Sequence, residues 1–336
     1  MEVIFVGREW KFKEALKTSV LKLIDYNTIR YIDTFDIDFK PHQETLIVTN
    51  KKTYPLVARI LANLTNQQLV VKDDFLIPEN AKYSKNSFFI DYYYPVNVIL
   101  LEDKVPEIFI ITPEYESINI FKFDKETSML FLEPIFNAHK LNYTVIENEG
   151  GFVEIISETL EEIVKKEILN VIPSVIFGNI FEHIVKNLPP KKITFAESCT
   201  GGLIASTLTK ISGSSNCFDG SVVTYANRIK HEWLGVEELT LEKYGAVSEQ
   251  TVKEMLLGAI EISKADYALA VSGIAGPTGG TPAKPVGTVF IGVANHKNLK
   301  VEEFHFKGDR NYIQHQAMMN AIRMFINFSG LYSKIP

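Results

Sequence analysis

Cysteine is nearly absent: Cys199 and Cys217 are the two such residues in 336. They form no CxxC pair, which argues against a zinc knot or dithiol centre. So low a count suits a reducing compartment. Long apolar runs are missing too. None approaches the ~18–20 uninterrupted residues of a membrane-spanning helix, so no membrane association is expected. There is no basic surplus, since 35 Lys and Arg stand against 41 Asp and Glu for a net charge of −6. With no basic stripe interleaved with aromatics, nucleic acid is not an expected partner. The opening MEVIFVGREWKFKEAL carries an acid at position 2 and only a short strand-like run. It lacks the basic start and longer apolar core of a secretory signal, and a cytoplasmic location is expected. His231, His296, His305 and His315 have no ligand spacing. Neither a metal nor a cofactor is expected. No repeat or low-complexity segment occurs.

What is present is an ordinary globular composition, 46% hydrophobic and 23% charged. The length allows two or three domains. The chain changes character near residue 190. Before it glycine is scarce and aromatics are dense (FFIDYYYPVNVILL, 88–101); after it come TGG, SGS and GIAGPTGG.

Residues 1–125 alternate strand-like runs (EVIFVG, TLIVTN, VNVILLED, EIFIITPE) with helical spacing over 10–24 and 53–65. That pattern predicts an α/β domain. Residues 126–188 read as a small α+β domain. It has a hairpin, YTVIEN and GFVEIISE, and a helix over 157–169 opening on Ser157. A further helix is expected over 181–188. Residues 189–330 again predict α/β: strands at 193–197, 221–226, 267–273, 286–294 and 301–308, helices at 201–211, 248–263 and 310–328.

Four stretches of this last segment can carry chemistry. In TFAESCTGGLIAS a strand gives way to Ser198 and then to Thr200-Gly201-Gly202 and a helix. Free N–H groups at such a helix start suit an oxyanion or a phosphate. Ser198 or Thr200 as a plain helix cap fits the same stretch. In VVTYANRIK, Tyr225 and Lys230 are five residues apart. A desolvated lysine loses its proton and can serve as a base, which gives a histidine-free way to activate a serine. A surface Lys and a core Tyr are the plainer alternative. VSGIAGPTGG places Ser272 at a strand end before a loop able to present backbone N–H groups to a phosphate or carboxylate. In KGDRNYIQHQ, Asp309 suits a helix cap and Arg310 a phosphate. Cys199 ranks behind Ser198 as nucleophile, and Cys217 reads as a small buried hydrophobe.

The ordered set AESCTGG, GSS, VTYANxxK, GAVSE, SGIAGPTGG, KPVGTV and GDR, spanning about 180–328, resembles the C-terminal domain of the CinA (competence/damage-inducible) family. That domain also occurs alone as nicotinamide-nucleotide amidohydrolase. The resemblance implies a three-layer α/β/α domain over 189–330 and a homo-oligomer, taken as a dimer. It also implies hydrolysis of nicotinamide mononucleotide to nicotinate mononucleotide and ammonia, a step of pyridine-nucleotide salvage. Ser198 then falls at the nucleophile, with Tyr225 and Lys230 activating it. Glu197, Thr200, Gly201, Gly202, Ser215, Ser272, Gly273, Gly276, Gly279 and Arg310 fall at substrate contacts. The resemblance further implies a molybdopterin-binding-like domain over 1–125 and a linker domain over 126–188. The glycine-rich loops of the first are missing, LIVTNKKTY standing in their place. A degenerate domain kept for packing or dimerisation is therefore expected, without its pyrophosphatase activity. The alternative function is an inactive nucleotide- or phosphate-binding module; a role in DNA uptake finds no support in the charge pattern.

Overall fold

The computed structural model describes residues 1–110 and 115–334, in two units, Met1–Glu114 and Tyr115–Pro336. In the first, the buried runs β1 (Glu2–Val6), β3 (Thr45–Thr49) and β8 (Val96–Leu100) form the centre of a six-stranded sheet, ordered β2-β1-β3-β8-β7-β6. Here β2 is Thr28–Ile32, β6 Lys82–Ser84 and β7 Ser87–Ile90. The first four strands in that order run parallel, and β7 and β6 are antiparallel. Near-continuous apolar strands need cover on both faces. Helix α1 (Glu14–Leu21), with the buried Trp10 just before it, belongs to the core on one face. Helix α2 (Tyr54–Leu64) packs on the other, beside a ribbon of β4 (Leu69–Lys72) and β5 (Phe75–Pro78). Of the expected strand 107–114, residues 111–114 lie outside the described residues, and 107–110 form no strand.

The second unit starts with β9 (Tyr115–Ile120), which corrects the boundary expected at 125. This strand sits between β11 (Phe152–Glu158) and β12 (Val175–Phe177), in the antiparallel order β10-β11-β9-β12, with β10 at Tyr143–Asn148. Helices α3 (Lys125–Ala138) and α4 (Glu162–Val171) cover one face. Ser157 does not open a helix: it is buried in β11, and α4 begins five residues later. The ladders β11 makes on both sides outweigh its capping signal.

A second sheet follows, ordered β14-β13-β15-β16-β17: Val222–Val223, Ile193–Glu197, Tyr267–Gly273, Thr288–Asn295 and Leu299–His305. The first three are parallel and the last two antiparallel. One face packs against α5 (Ile180–Asn187), α6 (Leu203–Leu208) and α10 (Arg310–Ser329). The other packs against α7 (Asn227–Leu234) and α9 (Glu249–Ser263), with α8 (Glu238–Tyr244) between them in sequence. This is a three-layer α/β/α arrangement. Phe121, Phe152 and Ile176 of the first sheet share a core with α10, so the expected linker and C-terminal segments pack as one unit.

Candidate active site

All five residues of β13 are buried, and the strand ends at Glu197. The Ser198 N–H donates to the Val271 carbonyl of β15 at 2.9 Å, and the Thr224 N–H donates to the Glu197 carbonyl at 2.8 Å. Ser198 therefore stands at the carboxyl ends of parallel strands, with a neighbour strand on each side. Open α/β sheets place ligand sites at such switch points. Gly202, at φ 96, then turns the chain into α6 through backbone space that a side chain disfavours.

Lys230 lies on the buried stripe of α7 with Leu234, one turn on. Its Nζ donates to Ser198 Oγ at 2.9 Å, to the Thr224 carbonyl at 2.6 Å and to the Tyr225 carbonyl at 3.4 Å. The residue is 1% exposed. Desolvation lowers its pKa from 10.5 to about 8, and the nearby Cys199 thiol acts in the opposite sense. Three acceptors match the three protons of an ammonium. In the neutral amine two protons stay on the carbonyls, and the lone pair is left to accept from the Ser198 hydroxyl.

The other expected residues divide. Arg310, the first residue of α10, is set by Asp309, whose side chain accepts from the Tyr312 N–H at 2.8 Å. Its Nη1 donates to the Gly276 carbonyl at 2.8 Å and its Nη2 to the Tyr225 hydroxyl at 2.9 Å. Arginine, tyrosine and glycine loop thus meet at one end of the sheet. Gly276 and Gly279 take positive φ there, 78° and 90°. Gly273 has a packing reason, since a Cβ would lie 2.6 Å from Val289 Cγ2.

Six of the expected residues are engaged or placed elsewhere. The Tyr225 side chain is 61% exposed and its hydroxyl is on Arg310; only its backbone carbonyl reaches Lys230, so it is no relay in this geometry. The strand expected over 221–226 lasts only two residues, which leaves Tyr225 in the connection to α7. Glu197 is wholly buried and touches no solvent-facing space. Its carboxylate accepts from the N–H groups of Gly202, Ile204 and Ala205, at 3.0, 3.1 and 2.9 Å. It fills the positive end of α6. With the Gly201 N–H on the Ser198 carbonyl, the Gly201 and Gly202 amides are engaged and are not free oxyanion donors. Ser272 is buried and donates to the Ala246 carbonyl at 2.7 Å. Ser215 is exposed at the far end of β13: its carbonyl accepts from Lys192 Nζ, and the Ile193 N–H donates to the Cys217 carbonyl. At ~3.3 Å per strand residue, the Ile193 end is roughly 17 Å from Ser198 along the strand.

Thr200 does not cap α6 through its side chain. Its Oγ1 is buried without a hydrogen-bond partner among the described residues, as is that of Thr224. Burial pushes the Cys199 thiol up to about 12, which keeps it protonated and a poor nucleophile. Two contributors escaped the sequence. Gln314 Nε2 holds the Cys199 carbonyl at 2.7 Å. Lys284 Nζ ties the glycine loop to the Tyr244 and Val247 carbonyls at 2.8 and 2.6 Å. Neither sits in a local pattern, because each contact joins distant positions.

Fold and site together define an α/β/α protein with a buried Ser–Lys pair at the carboxyl ends of its parallel strands. Residues 179–328 match the family model of the CinA C-terminal domain. A nicotinamide-nucleotide amidohydrolase, PncC, of Enterobacter agglomerans is 53% identical over 139 residues, 40% of this chain and 85% of that protein. A CinA-like protein of Thermosipho melanesiensis is 38% identical over 222 residues, 66% of this chain and 53% of the relative. One of Thermotoga neapolitana is 46% identical over 173 residues, 49% of this chain. The chain spans 41% to 53% of the length of these two CinA-like relatives. The solved structure of the competence/damage inducible protein CihA from Agrobacterium tumefaciens is 40% identical, at a TM-score of 0.44, covering 45% of this chain and 93% of that one. The chain belongs to the CinA family.

Proposed function

We propose that this protein is an amidohydrolase that deamidates nicotinamide mononucleotide, with Ser198 as nucleophile and Lys230 as its base. The observation that carries the reading is the 2.9 Å approach of a buried lysine of lowered pKa to the serine hydroxyl. The named activity of the Enterobacter relative, at 53% identity, supports the choice of substrate.

In this reading neutral Lys230 takes the Ser198 proton as Oγ attacks the carboxamide carbon. The C–N bond then breaks, and the lysine ammonium returns the proton to the departing nitrogen. Ammonia leaves and a serine ester remains. Water attacks the ester by the same proton path, releasing the carboxylic acid and restoring Ser198. Lys230 does this alone, since the Tyr225 hydroxyl serves Arg310. With the Gly201 and Gly202 amides engaged, the Thr200 hydroxyl, without a partner among the described residues, is the side-chain donor assigned to the oxyanion, beside the backbone N–H groups that directly follow Ser198. Arg310 holds the 5′-phosphate with donors it does not use on Gly276 and Tyr225. In this reading residues 1–125 are a degenerate molybdopterin-binding-like domain whose role is packing or dimerisation rather than chemistry.

The test is ammonia release from nicotinamide mononucleotide by wild type, Ser198→Ala and Lys230→Met. Release by wild type alone is the expected result. Equal release by Ser198→Ala would remove the serine from the mechanism. No release by folded wild type would leave a nucleotide-binding module.

A further inference from the structure

Within the second unit lies a cleft of about 470 Å³ that the proposed chemistry does not use. Its floor is the face of the β10–β12 sheet opposite α3 and α4. Along that face Phe121 and Phe152 stack at 6.2 Å and enter the core with α10. One register position further, the same face turns polar: Glu154 stands opposite Asn119. An apolar pair there would simply extend the core.

Glu154 is only partly exposed and has neither an ion pair nor a side-chain hydrogen bond among the described residues. Burial raises the pKa of its carboxyl, so the charged form lacks compensation. The nearest acid along the lining, Glu116, is already paired with Lys165 at 3.0 Å, which uses up that cation. Asn119 is held by its amide nitrogen on the Gly178 carbonyl at 2.9 Å, a fixed polar floor. The opposite wall is largely apolar and pliable, Met318 and Met319 of α10 with Phe181 of α5, and also carries Thr207 of α6 and His315 of α10. Methionine adapts to irregular and aromatic ligand surfaces. A volume in the ~300–1,000 Å³ range suits one small molecule.

We infer that this cleft binds a small organic cation: an ammonium or guanidinium group against Glu154, with an apolar or aromatic body against Met318, Met319 and Phe181. The inference is independent of the amide chemistry, since none of these residues touches Ser198 or Lys230.

The probe is 2-phenylethylammonium, titrated calorimetrically into the full chain, with 2-phenylethanol as its uncharged counterpart. The expected result is saturable one-to-one binding, at least tenfold weaker for the alcohol and at least tenfold weaker in Glu154→Gln. Met319→Trp, which fills the cleft from the α10 side, should abolish it. Ser198→Ala should bind as wild type does. Thermal melts establish that each variant is folded. Equal affinity for the alcohol, or undiminished binding in folded Glu154→Gln, would overturn the inference. So would weakened binding in Ser198→Ala, which would move the probe to the other site. No binding by folded wild type would overturn it as well.

Discussion

Lys230 is costly to bury as an ammonium and useful as an amine, and both consequences can be measured. In the proposed reaction the neutral form is the base, so kcat/KM should rise with pH and level off above about 8. The same shift acts on folding. The folded pKa of about 8 lies below the ordinary lysine value of 10.5, so between them the unfolded chain binds the proton more strongly. Stability should therefore increase with pH across that window, by ~1 kcal/mol per unit from this group. Lys230→Met should abolish turnover and flatten that part of the stability profile, read by urea unfolding at pH 7.5, 9 and 10.5. Thr200 separates catalysis from folding more cleanly. Its hydroxyl has no partner to lose, so Thr200→Val should leave the melting temperature unchanged or raise it slightly. As an oxyanion donor its loss should lower kcat on the order of 10²-fold. Unchanged kcat would assign the oxyanion to another group.

At the scale of elements, the lysine depends on how closely α7 is held. Gly258 of α9 faces the end of α7, where a Cβ would lie 2.0 Å from the Leu234 carbonyl oxygen. Alanine is the better helix former by ~1 kcal/mol in isolation. Here contact with rigid backbone should win. Gly258→Ala should destabilise by roughly 1–3 kcal/mol and reduce turnover by shifting α7, with thermal melts and kcat read together. A stabilised variant would show that the helices separate freely. Capping was partly legible at this scale: Ser248 and Asp309 cap α9 and α10 as short polar residues before periodic runs. The start of α6 was not. The residue that completes it, Glu197, belongs to the preceding strand, and its reach depends on the tight turn between.

At the scale of the molecule, the division of the chain follows strand pairing. β9 is an interior strand of its sheet, paired on both sides. A fragment beginning at residue 115 should fold cooperatively and keep the activity of the full chain. One beginning at 126, the boundary expected from the sequence, removes β9 and leaves β11 and β12 without their common partner. It should be insoluble or non-cooperative in thermal denaturation, and a stable, active 126–336 fragment would contradict this account.

The sequence by itself determined much of the alternation of strands and helices, and it picked out Ser198, Lys230 and Arg310, all after residue 190, as candidates. Those signals are local: apolar periodicity, turn residues and short motifs report on the backbone around them. Only the tertiary structure decided that Lys230 reaches Ser198 while the Tyr225 hydroxyl turns to Arg310, that Glu197 occupies the start of α6, and that Ser215 lies at the opposite end of β13. Each of these depends on which end of a strand a loop joins and on the length of the strand before it. Strand order and strand length are set by pairing between distant segments, and no window of sequence contains both partners.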